Sequence, residues 1–456
     1  MFQLIILYIS LILFVISIVI LLTIDSFNNV INELFILKWF DFYIYIGYDN
    51  ISLIFIFLIT FFIPICLLFI WNSKFVNKNW YILFLFSLEI ILIFLFLILD
   101  IVFFYIIFEL ILIPFFIIIG LSSKKIRRIH ASYLLFFYTV IGSLFMLISL
   151  LALYSHSGTT NLQLLWILNL DTNSEKWICL PFIISFSIKI PIFPFHIWLP
   201  EAHVESPTEG SVILAAILLK VGLYGFLRII LPIFPYSVIY FSNFIFLFNI
   251  FSILYTSMMT LRQIDMKKVI AYSSIGHMNI CMLGLCTLNQ TAIIGSIILM
   301  LGHGFITSGL FFLIGILYDR YKTKIIFYYS GLIFTMPLFS IFFFFMIISN
   351  ISFPGTSNFI GELLVLSIII VNINIWLSII FIIGLFICSI YSMWLYNKIM
   401  FGLPKYNIML YLKDINLLEF FILIPITIMI TFIGFYPNWI IDLVYSNTAQ
   451  YYMFEL

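Results

Sequence analysis

Lys189 and Lys220 lie inside long apolar stretches of this 456-residue chain, and so do the carboxylates Glu109 and Glu362. A charge at bilayer depth costs roughly 2.5–3.5 kcal/mol even on lenient insertion scales. Only 9% of the residues are charged, so charges placed among apolar neighbours point to use. Ionisable groups facing one another across a helical bundle are equipment for moving ions or protons.

Each candidate has its own surroundings. Glu109 is centred in FYIIFELILIP, residues 104–114. It could be a neutral, hydrogen-bonded acid, since burial disfavours the charged form, or one half of a titrating pair. Lys189 sits in SIKIPIFPFH, residues 187–196, beside two prolines. It could hydrogen-bond carbonyls freed by a helix break. Burial works against its charge and a nearby carboxylate works for it, so it could also gain and lose a proton as a partner moves. Glu109 is the natural partner. Lys220, in LLKVGLYGFLR (218–228), is about ten residues from either end of its segment, too far to snorkel. Arg228 is expected merely to meet headgroups. His277 (SSIGHMN) and His303 (LGHGF) are also at membrane depth; histidine titrates in the physiological range, which suits a relay. Glu362, in FPGTSNFIGEL (353–363), comes after a second break and is expected to match the place of Lys189 at the first. Glu89 and Asp100 are apolar-flanked too, Asp100 nearer a helix end.

The loop LPEAHVESPTEG (199–210) gathers Glu201, His203, Glu205 and Glu209, with His196 nearby. The spacing is not that of H-E-x-x-H, so a metal is not expected; Glu209 is placed to start the next helix after Pro207 and Thr208. Cys66, Cys179, Cys281, Cys286 and Cys388 lie in or beside apolar segments without a C-x-x-C, as small buried hydrophobes do. Walker A, strand-anchored G-x-G-x-x-G and G-x-S-x-G motifs are absent from the sequence, so no nucleotide or flavin is expected in this chain. A net charge of +1 and the lack of a large basic cluster argue against nucleic acid.

The elements that must hold these groups are membrane helices. The chain is 65% hydrophobic with a mean hydropathy of +1.26, and many apolar runs reach the length that spans a bilayer. The expected fold is an all-α polytopic membrane protein. About thirteen crossings are read, at 2–24, 51–71, 80–98, 99–120, 132–154, 177–204, 206–231, 236–260, 266–287, 290–318, 326–371, 374–400 and 416–437. The opening segment lacks a basic flank and a cleavage site, so it is read as a retained helix. The crossing at 177–204 is interrupted by Pro191 and Pro194, and 326–371 by SNISFPGTSN; proline removes a donor and breaks a helix. Irregular backbone at this depth belongs beside protein or a water-filled cavity.

Fifteen of the 20 Lys and Arg come after even-numbered crossings: Lys74, Lys78, Lys124, Lys125, Arg127, Arg128, Arg262, Lys267, Lys268, Arg320, Lys322, Lys324, Lys398, Lys405 and Lys413. This places the N-terminus on the positive side. Residues 1–79 form a leading pair of helices. Residues 80–231 and 236–401 form two five-helix units that start on opposite sides, each with its broken helix in fourth place; residues 402–456 carry the last helix and tail. Broken helices at matching places in inverted repeats mark a transport site.

The run KIPIFPFHIWLPEAHVESPTEGSVILAAILLKVGLYGFLR (189–228) closely resembles the antiporter-like membrane subunits of respiratory complex I. LDIVFFYIIFELILIP, LRQIDMKKVIAYSSIGHMN, LGHGFITSGLFFLIG, FPGTSNFIGEL and YDNISLIFIFLITFFIPICLLFIW fit the same family, over about residues 46–401. The resemblance implies that Glu109 and Lys189 are its glutamate–lysine pair, Lys220 its central lysine, and His277 and His303 the axis leading to Glu362 at the terminal site. A glutamate there, where sister chains 2 and 5 usually carry lysine, sets this chain apart from both, as does the short tail after residue 437. The family usually shows fourteen crossings; its first helix is expected to be missing here.

The same resemblance implies a proton-translocating subunit of a H+-translocating NADH:ubiquinone reductase, without redox chemistry of its own. FMN, Fe–S clusters and ubiquinone would sit in other subunits. Its partners would be sister chains 2 and 5, accessory subunits and the lipid bilayer, in the mitochondrial inner membrane or, alternatively, a bacterial plasma membrane. Phe, Ile, Asn and Tyr abundance, which AT-rich codons favour, fits an organellar gene. The rival readings are a subunit of an Mrp-type cation/proton antiporter or energy-converting hydrogenase, and a structural spacer whose charges only hold the bundle together.

Overall fold

The computed structural model describes residues 2–23, 32–39, 42–71, 78–121, 126–372, 374–403 and 413–452. Lys74, Lys124, Lys125 and Lys405 lie outside them. The described chain is helical almost throughout, as the apolar runs require: in lipid, every backbone polar group must be satisfied within its own segment. The helices are α1 (Phe2–Thr23), α2 (Asn50–Ile70), α3 (Lys78–Leu97), α4 (Ile101–Leu110), α5 (Leu112–Leu121), α6 (Ile126–Ser157) and the short α7 (Leu162–Trp166). Then come α8 (Thr172–Lys189), α9 (Trp198–Glu205), α10 (Thr208–Ile233), α11 (Pro235–Leu261), α12 (Met266–Cys286) and α13 (Gln290–Tyr321). The chain ends in α14 (Pro337–Asn350), α15 (Ser357–Asn372), α16 (Ile375–Met400), α17 (Leu417–Phe435) and α18 (Asn438–Tyr452). Among the described residues eleven spans are long and apolar enough to cross a membrane, counting α4 and α5 as one. The interrupted pairs α8–α9 and α14–α15 complete the thirteen crossings.

Burial sorts the helices into a centre and a periphery. The apolar windows of α10 and α13 are 100% buried and that of α12 89%, whereas those of α1 and α17 are 22% and 28% buried. A helix apolar all round belongs inside a bundle. The three most enclosed helices thus carry Lys220, His277 and His303.

Both expected breaks are present. The first comes directly after Lys189, the last residue of α8. Pro191 and Pro194 have no N–H to offer. The carbonyls left over are taken up locally: Trp198 Nε1 donates to Ile188 O at 2.9 Å and Ile192 N to Ser187 O at 3.0 Å. The second break, residues 351–356, turns at Gly355, whose φ of +91° favours a residue without Cβ. Gly434 of α17 lies against the Gly355 carbonyl, leaving no room for a side chain there.

Three features differ from the sequence reading. Residues 326–336 open the eleventh crossing as two short 3-10 turns, Ile326–Tyr328 and Leu332–Phe334, and not as helix; Gly331 has φ +68° and Pro337 starts α14. An antiparallel hairpin, β1 (Asn32–Trp39) and β2 (Phe42–Tyr48), precedes α2 and is tied to the bundle by Leu99 N donating to Tyr45 O at 3.0 Å. The tail after 437 contains α18, whose Leu443 carbonyl accepts from Asn50 Nδ2 at 2.8 Å.

Three of the basic connections meet in one place. Lys267 Nζ donates to Ser206 O at 3.0 Å, Lys268 pairs with Glu201 at 2.7 Å and Arg128 with Glu205 at 3.6 Å. Lys324 Nζ donates to Val204 O. Residues from three separate even-numbered connections therefore meet at the end of α9, as the charge pattern demands.

Candidate functional site

The candidate residues fall into two groups. The first is built on α4, α6 and α8. Glu109 lies one residue before the end of α4, half-buried, and its Oε1 accepts from Tyr105 Oη at 2.8 Å and Ser143 Oγ at 2.5 Å. The helix is interrupted just beyond, at Ile111, before Pro114. Lys189 is 1% exposed. Its Nζ lies 3.7 Å from the centroid of the Phe108 ring and 3.5 Å from the Phe108 carbonyl. No ion pair within 4.0 Å joins Glu109 to Lys189 among the described residues; they remain within electrostatic reach, with Lys189 held by the residue next to Glu109. A buried ammonium over an aromatic face is partly stabilised by the ring quadrupole.

The second group is a row of neighbours, in which His303 and His277 meet as rings with no hydrogen bond between them among the described residues. Lys220, wholly buried, comes just after a π turn at Leu214–Leu218 within α10. Such turns shift backbone groups off the ordinary ladder and are frequent at functional sites. Lys220 Nζ donates to Ala215 O at 2.5 Å and lies 3.0 Å from His303 Nδ1. The rings of His303 and His277 have centroids 5.5 Å apart. His277 Nδ1 is 3.0 Å from Glu362 Oε1. Four side chains predicted from sequence, on α10, α13, α12 and α15, thus form the row Lys220–His303–His277–Glu362. Among the described residues no polar contact links Lys189 to Lys220.

Glycines bring these helices close. A Cβ on Gly302 would stand 2.6 Å from Ser357 Oγ, and one on Gly361 would stand 2.8 Å from Leu299 N. These contacts set α15, with Glu362, directly against α13, with His303.

Several expectations need correcting. Glu362 does not occupy the place of Lys189: Lys189 ends the helix before its break, while Glu362 stands in the helix after the second. Arg228 does not reach headgroups. It is 3% exposed, pairs with Asp49 at 2.5 Å, and lies 4.8 Å from the centroid of the Trp166 ring. Asn447 Nδ2 donates to the same Asp49 oxygen at 3.2 Å. Cys388 is more than packing: its Sγ is 2.8 Å from Tyr391 Oη and 4.0 Å from His277 Nε2, beside a cavity of about 20 Å³, enough for one water. Sequence pattern alone did not single out Tyr105, Ser143, Cys388 or Tyr391, because each belongs to an ordinary helical stretch.

The other polar candidates stand apart from both groups. Asp100 caps α4, accepting from Val102 N and Phe103 N at 2.9 and 3.3 Å and from Thr160 Oγ1 at 2.7 Å. Glu209 lies in the first turn of α10 and accepts from Tyr81 Oη at 3.4 Å. His203 stacks on Phe311, centroids 4.9 Å apart, and His196 lies against Phe193, 5.7 Å between centroids. Glu89 is wholly buried, and neither of its carboxylate oxygens has a hydrogen-bond partner among the described residues.

A polytopic bundle with two interrupted helices and a buried row of titratable groups defines a membrane protein of the transport class. The model of one family, described as NADH:quinone oxidoreductase/Mrp antiporter, TM, matches residues 99–388. Chain 4 of NADH-ubiquinone oxidoreductase from Chondrus crispus is 49% identical over 415 residues, 90% of this chain and 84% of that protein. Its counterpart in Arabidopsis thaliana is 43% identical, covering 97% of this chain and 90% of its own length. Among solved structures, a chain of respiratory complex I from Thermus thermophilus superposes with a TM-score of 0.88 at 24% identity, over 98% of this chain and 93% of that one. A chain of the Mrp complex from Dietzia sp. gives 0.89 at 15% identity, over 99% and 92%. The chain belongs to this family, among the NADH-ubiquinone oxidoreductase chain 4 proteins.

Proposed function

We propose that this chain is the proton-translocating membrane subunit of an NADH:ubiquinone reductase, and that Glu109, Lys189, Lys220, His303, His277 and Glu362 carry the protons. The observation that carries the reading is the row Lys220–His303–His277–Glu362, its first three members buried on the three most enclosed helices and Glu362 half-buried on α15. Lys220 gives a proton from Nζ to His303 Nδ1, in the tautomer whose lone pair faces the lysine. An imidazole that accepts on one nitrogen releases from the other. His277 receives that proton and hands one from Nδ1 to Glu362 Oε1, the terminal group. Charge at Glu109 governs Lys189, and movement of Glu109 relative to Lys189 changes that lysine's hold on its proton.

Redox chemistry, with FMN, Fe–S clusters and ubiquinone, belongs to other subunits under this reading. Sister chains 2 and 5 and accessory subunits are the partners, the two five-helix units share the pumping fold, and the site of work is the mitochondrial inner membrane. Identity of 49% to a chain 4 protein, against 15% to the Mrp chain, favours the reductase over the antiporter.

A native gel of the source membranes in mild detergent, stained for NADH dehydrogenase activity, tests the assignment. Mass spectrometry should find this chain in a megadalton active band. Recovery only in a smaller, NADH-inactive assembly would replace the reading with the antiporter or hydrogenase one.

A further inference from the structure

Between α8 and α11, on the outer side of the first helix break, lies an apolar crevice of about 180 Å³, walled by Leu180, Ile183, Ile184, Phe244, Ile245 and Phe248 and floored by Phe193 and Pro194. Its walls on α8 recur at positions three and four apart, so they form one stripe along the helix. That stripe continues to Lys176, whose Nζ lies 4.1 Å from the centroid of the Tyr240 ring on α11. From Lys176 to Ser187 the helix rises about 16 Å, at 1.5 Å per residue. This is close to half of a hydrocarbon core of about 30 Å, the depth of a single leaflet.

Lys176 is exceptional in placement. Five Lys and Arg lie away from the positive side: Lys38, Lys176, Lys189, Lys220 and Arg228. The side chain of Lys38 lies outside the described residues. Lys189 and Lys220 are buried within the bundle, and Arg228 is paired with Asp49. Lys176 makes no ion pair within 4.0 Å among the described residues. Glu175 beside it turns inward to accept from Ser237 N at 2.9 Å. Around Lys176 the exposed aromatics Trp177, Tyr236 and Tyr240 mark headgroup level. A cation at that level, continuous with an apolar groove one leaflet deep, matches a phospholipid in both charge and length.

We propose that this crevice is a phospholipid site, with the phosphate at Lys176 and one acyl chain laid between α8 and α11 against the Phe193–Pro194 turn. The chain then backs the helix break that begins after Lys189. The site goes beyond the proposed function and does not depend on it.

The intact assembly, purified in mild detergent, is equilibrated with phosphatidylglycerol carrying a diazirine midway along one acyl chain, irradiated, and mapped by mass spectrometry. Label is expected on residues 180–195 and 241–248 above that on other exposed helices. Ile184→Trp fills the crevice and should abolish that enrichment. Lys176→Glu should reduce it about fivefold or more, the worth of one cation near anionic lipid. If Ile184→Trp fails to assemble, Phe248→Trp fills the crevice from the other wall. Uniform label on all exposed helices, or label on a neighbouring subunit in place of these peptides, would overturn the proposal. Displacement by excess decylubiquinone without dependence on Lys176 would also overturn it.

Discussion

At the scale of single residues, the buried row makes different demands on each member. Lys220→Met removes the donor to both Ala215 O and His303 Nδ1; its flexible apolar replacement fills similar space, so the assembly is expected to persist while proton transfer fails. Glu362→Gln keeps a hydrogen-bond partner for His277 but cannot take a proton. NADH-driven pumping by the assembled complex should fall, with subunit content on native gels little changed. Ser143→Ala takes away one of two hydroxyls on Glu109 Oε1, and Tyr105 remains. A partial loss is expected in pumping assays, smaller than that of Glu109→Gln. Retention of full pumping by Glu109→Gln would defeat the role given to that carboxylate. Asp49→Ala is different in kind. It leaves Arg228 buried without its carboxylate, a change that costs about 3–5 kcal/mol in buried pairs, so loss of assembled complex on native gels is the expected outcome. Sequence revealed the row because a charge in an apolar run is rare. It hid the Asp49–Arg228 pair because both sit near segment ends, where a headgroup contact is the ordinary fate of an arginine.

At the scale of elements, the row exists because helices approach closely. Gly361 faces Leu299 N and the Gly295 carbonyl, and backbone atoms cannot swing aside as a side-chain tip can. Gly361→Ala should therefore push α15 from α13, with an overpacking cost of about 1–3 kcal/mol and a longer path from His303 to Glu362. A lower melting temperature of the complex, together with reduced pumping per complex, would check this. Unchanged values would show that the close approach is not needed. Both helix breaks were legible because proline and glycine act locally through the backbone. Which side of a break carries the functional group was not: Lys189 precedes its break and Glu362 comes after the other, a distinction that depends on where the helix resumes. The 3-10 turns at 326–336 were missed because their residues are as apolar as those of a span. The π turn at Leu214–Leu218 in α10 leaves no mark in hydropathy at all. The hairpin before α2 escaped because its strands lie between two strong helical signals.

At the scale of the whole molecule, three features belong together. The most buried helices carry three of the four members of the titratable row, three of the basic connections converge on the end of α9, and the peripheral helices turn apolar faces outward. The thirteen crossings could be read from apolar length alone, since that is the term the bilayer imposes. Contacts between distant segments could not, and the break between Lys189 and Lys220 in the polar path became visible only in three dimensions. The most direct test of the proton-carrying role is NADH-driven acidification in vesicles bearing Lys220→Met, normalised to the amount of assembled complex. Proton transfer by a positioned group is worth a factor of about 10² or more, so acidification per complex should fall by at least about tenfold. A normal rate per assembled complex, with only the amount of complex reduced, would contradict that role and make the buried charges a scaffold.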